Sequence, residues 1–126
     1  MKLETGICGE QSVRVSAENT AKTMGSGTLD VFATPALVAL AEKTCWMSVA
    51  DALDEGCGSV GTKLELEHTA PTPVGMKVWA EAEITAVSEN GKMIDFKATA
   101  TDTAGLIGEG THQRAVITCL LYTSPS

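Results

Sequence analysis

Apolar residues alternate with polar ones along most of this chain, but residues 31–53, beginning Val31-Phe-Ala-Thr-Pro-Ala-Leu-Val-Ala-Leu-Ala-Glu42, are apolar almost throughout. This spacing predicts one long helix. Thr34 suits its N-cap and Pro35 its first helical position, where a missing N–H costs nothing. At 100° per residue, Leu37, Val38, Ala41, Thr44, Cys45, Ser48, Val49 and Ala52 share a broad face with Glu42 on its rim, while Lys43, Met47 and Ala50 lie opposite. A helix with small residues around most of its circumference is normally enclosed by other structure. Enclosure would partly desolvate Glu42, although the same position also fits an acid that reaches solvent or pairs with a lysine.

Period-two alternation marks the strands. Residues 11–16 place Val13 and Val15 on one side, residues 18–27 carry little apolar content and read as a loop, and the glycines of 54–58 end the helix. Along 59–68, Val60, Thr62, Leu64, Leu66 and His68 point one way and Gly61, Lys63, Glu65 and Glu67 the other. His68 thus shares the face of buried leucines and emerges at the core's edge, just before Thr69-Ala-Pro-Thr-Pro73 stops regular pairing. Residues 77–87 turn Val78, Ala80, Ala82, Ile84 and Ala86 inward. Asn90-Gly91 then signals a hairpin, and residues 92–102 return with Ile94, Phe96, Ala98 and Ala100 inward. The inward alanines leave room for the helix to lie close. A turn at 103–105 leads into 106–119, where Gly108 and Gly110 call for a bulge or a close backbone approach. A strand, a loop, a long helix and four long antiparallel strands make an α+β fold, one helix packed on one strongly curved sheet.

Length and charge narrow the function classes. The 126 residues suffice for one domain with its own core, and a formal net charge of −7 argues against nucleic-acid or acidic-membrane binding, which need a basic field. Neither a leader pattern nor an apolar run of membrane-spanning length is present, so a cytoplasmic location is expected. Cys8, Cys45, Cys57 and Cys119 are scattered, with no Cys-x-x-Cys and no histidine at ligand spacing, so no metal centre is expected and the thiols read as reduced.

Four blocks then carry a resemblance. Phe32-Ala-Thr-Pro-Ala-Leu-Val-Ala-Leu-Ala-Glu42, Ser59-Val-Gly-Thr62, His68-Thr-Ala-Pro-Thr-Pro-Val-Gly75 and Gly108-Glu-Gly-Thr-His-Gln-Arg114, in that order, resemble the hotdog-fold thioesterases of the fluoroacetyl-CoA thioesterase-like family. The resemblance covers residues 30–117. It implies a hotdog fold, a central helix wrapped by a curved antiparallel sheet, and hydrolysis of an acyl-CoA. Position by position, it implies Thr34, Glu42 and His68 as catalytic residues and Gly61 and Arg114 as substrate contacts. Glu42 would attack the thioester carbonyl to form a transient anhydride, or act as base on water, and His68 would carry the proton. The Thr34 hydroxyl, beside the helix N-terminus, would hydrogen-bond the developing negative charge or orient Glu42. Arg114 would hold pantetheine amides or a CoA phosphate. The resemblance further implies a homodimer with sites near the subunit interface, and no cofactor beyond the CoA of the substrate.

One departure bears on substrate. Fluoroacetyl-specific members place phenylalanines before the helix as an apolar gate, whereas this chain reads Gly25-Ser-Gly-Thr28, leaving Phe32 as the one phenylalanine there and the candidate aromatic substrate contact. A short- or medium-chain acyl-CoA is therefore expected in place of fluoroacetyl-CoA. A non-catalytic acyl-CoA binder, or a hotdog hydratase or dehydratase, is the alternative. The single domain is expected over residues 1–119, with Leu120-Leu-Tyr-Thr-Ser-Pro-Ser126 read as a non-native or disordered tail.

Overall fold

A computed structural model describes residues 2–118, so Cys119 and the tail expected at 120–126 lie outside the described residues. The elements are β1 (Cys8–Arg14), a one-turn helix α1 (Ala21–Met24), α2 (Thr34–Val49), β2 (Cys57–His68), β3 (Lys77–Val87), β4 (Met93–Asp102) and β5 (Gly105–Thr118). The strands form one antiparallel sheet in the order β1-β3-β4-β5-β2, and α2 lies across it in contact with all five. No helix among the described residues is long and apolar enough to cross a membrane.

Small side chains let the helix sit low on the sheet. Ala80, Ala82, Ala98 and Ala100 are buried beneath it, facing Leu37, Leu40, Ala41, Thr44, Cys45 and Val49. A β-carbon on Gly9 would stand 2.6 Å from Ser48 Cβ, and one on Gly108 would stand 3.0 Å from Leu37 Cδ2. The larger side chains gather at the two ends of the helix, with Phe32, Val15 and Ile107 at one and Phe96, Ile84 and Ile94 at the other.

The structure departs from the sequence pattern at several places, the first being β1, which spans Cys8–Arg14 where the alternation predicts residues 11–16. The helix is shorter than residues 31–53. Val31 and Phe32 are tied by single bridges to Pro73 and Thr20, so helical geometry begins at Thr34, and a 3-10 turn (Ala50–Ala52) replaces the last turn. Ala33 occupies the N-cap position without a side-chain bond, which frees the Thr34 hydroxyl. In the expected loop, Thr20 caps α1 by accepting from the Thr23 N–H at 3.2 Å, and Gly25 closes it at φ 74°. The strand phases also shift. Thr62 is an extra residue in β2, because Gly61 pairs with Arg114 and Lys63 with Gln113, so Val60 is 42% exposed while Gly61 faces the helix. From Lys63 to His68 the predicted alternation holds. A second irregularity after Ile84 turns Ala86 outward and Val87 inward.

Both readings of the β5 glycines hold. Ile107 is an extra residue between the Ala100–Gly108 and Thr101–Leu106 pairs, and a β-carbon on Gly110 would overlap the Glu65 carbonyl of β2. Since backbone cannot move aside as a side-chain tip can, Gly110→Ala should cost about 2–3 kcal/mol of unfolding free energy in urea titrations. A loss indistinguishable from zero would mean that β2 and β5 separate more readily than the geometry requires.

Candidate active site

Two groups of candidate side chains sit on the β2 side of α2. The first lies at the helix N-terminus, where Thr34 Oγ1 and His68 Nδ1 are 2.8 Å apart. Thr34 opens α2 and His68 closes β2, so helix start and strand end meet there. His68 Nε2 is buried and has no hydrogen-bond partner among the described residues. Burial holds the His68 pKa below its ordinary 6.5 and so favours the neutral ring.

The second group is built on a buried cation. Arg114 on β5 has a side chain only 7% exposed, and each of its three nitrogens makes one hydrogen bond. Nε donates to Ser59 Oγ at 2.9 Å, Nη2 to the Ser59 carbonyl at 3.0 Å, and Nη1 lies 3.1 Å from His112 Nε2. Nη1 also stands 3.7 Å from Glu42 Oε2, whose side chain remains 41% exposed. Glu42 is thus the solvent-facing partner of a buried guanidinium, which matches the solvent-reaching alternative of the sequence pattern, with an arginine in place of a lysine. Gly61 makes this possible, because a β-carbon there would stand 2.7 Å from Glu42 Oε2 and 3.1 Å from His112 Cε1.

His112 was quoted in the sequence motif without a role. Its position two residues before Arg114 on a strand, hence on the same face, is the signal that marks it. His112 Nδ1 lies 2.8 Å from the Lys63 carbonyl, which only accepts, so Nδ1 carries the proton and Nε2 accepts from Arg114. Burial lowers the His112 pKa from 6.5, and Arg114 lowers it further. Ser59, the other missed residue, anchors Arg114 twice. Cys45 is buried nearby, and burial pushes its thiol up to about 12, as befits a small apolar side chain.

The structure joins Thr34 to His68, and Glu42 to Gly61 and Arg114, but not the two groups to each other within one protomer. Eight residues of helix from Thr34 to Glu42 amount to about 12 Å, and the β2 path from Gly61 to His68 to roughly 20 Å. Phe32 joins neither group: it is 1% exposed and packed in the core with Val15 and Leu37.

Residues 15–119 match the family model described as fluoroacetyl-CoA-specific thioesterase. The chain belongs to this family. The fluoroacetyl-CoA thioesterase of Streptantibioticus cattleyicolor is 42% identical over 88 residues, a match covering 70% of this chain and 62% of that protein, so the chain spans less than two thirds of this relative's length. A crystal structure of a mutant of the fluoroacetyl-CoA-specific thioesterase, in complex with fluoroacetate and CoA, superposes with a TM-score of 0.88 at 31% identity, covering 96% of this chain and 100% of that one. A hot-dog-like protein from Thermanaerovibrio acidaminovorans shares the fold at 22% identity, with a TM-score of 0.85 over 95% of this chain and 87% of that one. The hotdog architecture expected of the family is therefore the one observed.

Both histidines of this family member are neutral-favouring in the fold. The unfolded chain binds more protons between the lowered folded values and 6.5, so unfolding free energy should be fully present above about pH 6.5 and fall as pH drops below it. Urea titrations at about pH 7 and 5.5 test this, and His68→Gln should flatten part of the slope. A parent profile that stays level, or rises, on acidification would contradict the lowered values.

Proposed function

We propose that this chain hydrolyses short- or medium-chain acyl-CoA thioesters as a homodimer, with Thr34, Glu42 and His68 as its catalytic residues. The observation that carries the reading is the 2.8 Å contact between Thr34 Oγ1 and His68 Nδ1 at the N-terminus of α2. Free backbone N–H groups and a hydroxyl at a helix start favour the negative charge that develops on a thioester oxygen under attack. A ring held neutral beside them can take a proton from the incoming water and return it to the thiolate. Glu42 supplies the nucleophile or the base on water. Arg114 serves the reaction through Glu42, because its buried guanidinium is anchored by three hydrogen bonds to Ser59 and His112 and pairs with Glu42 at 3.7 Å.

The separation of the two groups supports a dimer. The outer edge of β2 is unpaired among the described residues, is twelve residues long and exposes Val60, a form of edge that invites pairing. Antiparallel self-pairing centred near Leu64 would lay Lys63 of each copy opposite Glu65 of the other. It would also bring the Gly61–Glu42 corner of one protomer beside the Thr34–His68 pair of its partner. For the acyl group, the stretch Gly25-Ser-Gly-Thr28 offers no aromatic gate and Phe32 is enclosed in the core, which supports a substrate broader than fluoroacetyl-CoA.

The test is loss of thioester ultraviolet absorbance over an acyl-CoA panel that includes fluoroacetyl-CoA. Folded Glu42→Ala and His68→Ala should each lose at least about a hundredfold in kcat/KM. Mixing these two variants should restore activity toward about a quarter of the parent's, because half of random dimers are mixed and each mixed dimer holds one intact site. No recovery on mixing would place the whole site in one protomer. A folded parent that leaves the panel intact, yet melts higher with acyl-CoA, would make the protein a binder.

A further inference from the structure

We propose that His112 is a positioning residue for Glu42, holding the Arg114 guanidinium edge on which the Glu42 carboxylate rests. The inference rests on the role given to Glu42 above. Two hydrogen bonds and an ion pair run in line here: the Lys63 carbonyl accepts from His112 Nδ1, His112 Nε2 accepts from Arg114 Nη1, and Nη1 stands 3.7 Å from Glu42 Oε2. Every member has a fixed direction, because a carbonyl only accepts and a guanidinium only donates. The imidazole is therefore the one group that turns a backbone acceptor on β2 into an acceptor for a buried cation. Gly61 adds a second observation, since the carboxylate oxygen and the imidazole Cε1 flank the same space that a β-carbon would fill. Phe96 stacks on the ring from β4 at 6.2 Å between centroids, so the imidazole cannot swing away.

Protonation breaks this arrangement. An imidazolium has no acceptor for Arg114 and sets a second cation 3.1 Å from it, competing for Glu42. The groups that face the ring are few. Glu42 comes from α2, Arg114 from β5, Phe96 from β4, and the Lys63 backbone from β2, whose ammonium instead pairs with Glu65 at the surface, while Cys45 of α2 lies beside Arg114 with its thiol protonated. Burial, the largest influence, and Arg114 favour the neutral ring, while the Lys63 carbonyl and Glu42 favour the charged one, Glu42 being the one ionised group among them that does so. The Thr34–His68 pair lies outside this set.

The sequence holds only two histidines, so both titrations are readable by NMR in the intact protein. Glu42→Gln should move the His112 midpoint further below its parental value and leave that of His68 in place. An unmoved His112 midpoint, or an equal shift of both, would overturn the coupling, and this readout stands even if the parent hydrolyses no thioester. For the reaction, His112→Phe keeps the stack on Phe96 and removes both nitrogens. It should lower kcat about tenfold or more, with KM within about twofold of the parent, as expected when a hydrogen bond to a charged group is lost. His112→Gln restores an acceptor toward Arg114 and should recover most of kcat while abolishing any acid limb due to His112. Parental kcat in folded His112→Phe, or no recovery in folded His112→Gln, would refute positioning. If His112→Phe does not fold, the Gln variant and the titration shift decide.

Discussion

The rest of the structure depends on how closely α2 approaches the sheet. Four alanines on β3 and β4 and the glycines on β1 and β5 remove side-chain volume where the helix crosses, and dense contact replaces it. That distance fixes more than stability. With the helix low, Thr34 at its first turn comes within hydrogen-bonding reach of the last residue of β2, and Glu42 two turns later rests against a strand position with no side chain of its own. Wider spacing would preserve the fold class and dissolve both contacts.

Arg114 is the second constraint, and it follows from the first. A guanidinium enclosed between helix and sheet is tolerated only when its donors are met, because an unpaired buried charge costs several kcal/mol. Ser59 meets two of these donors, His112 a third, and Glu42 supplies the opposite charge. Glu42 is thereby bound to the fold on one side and open to solvent on the other. The same ion pair that keeps the cation tolerable thus holds a carboxylate at a defined place near the surface.

The chain's own pattern makes the helix, the β3–β4 hairpin and the inward alanines legible because burial imposes period 3.6 or period 2 on long, uninterrupted segments. It carries His68 onto the correct face for the same reason. It misplaces Val60 and Thr62 because one extra residue in a strand reverses the phase with no compositional signature beyond a nearby glycine. Thr34 reads as a cap from its type alone, but its hydroxyl is taken by a histidine that is distant in sequence, and no local rule carries that information. His112 is obscured by Gly108 and Gly110, which interrupt the alternation that would have marked it as inward with Arg114.

The Thr62 bulge ties these observations together. Counting outward from it, the extra residue turns Gly61 toward Glu42, aligns the Lys63 carbonyl with His112, and places Val60 on the exposed edge of the sheet. A regular strand could not do all three, since Gly61 and Lys63 would then share one face and Val60 would lie under the helix. The strand would gain an apolar contact and lose the seat of the carboxylate. Bulges concentrate at sheet edges and beside active sites because one inserted residue re-aims a side chain and ends regular pairing together. Here it joins the geometry of the Glu42 corner to the shape of the exposed β2 edge.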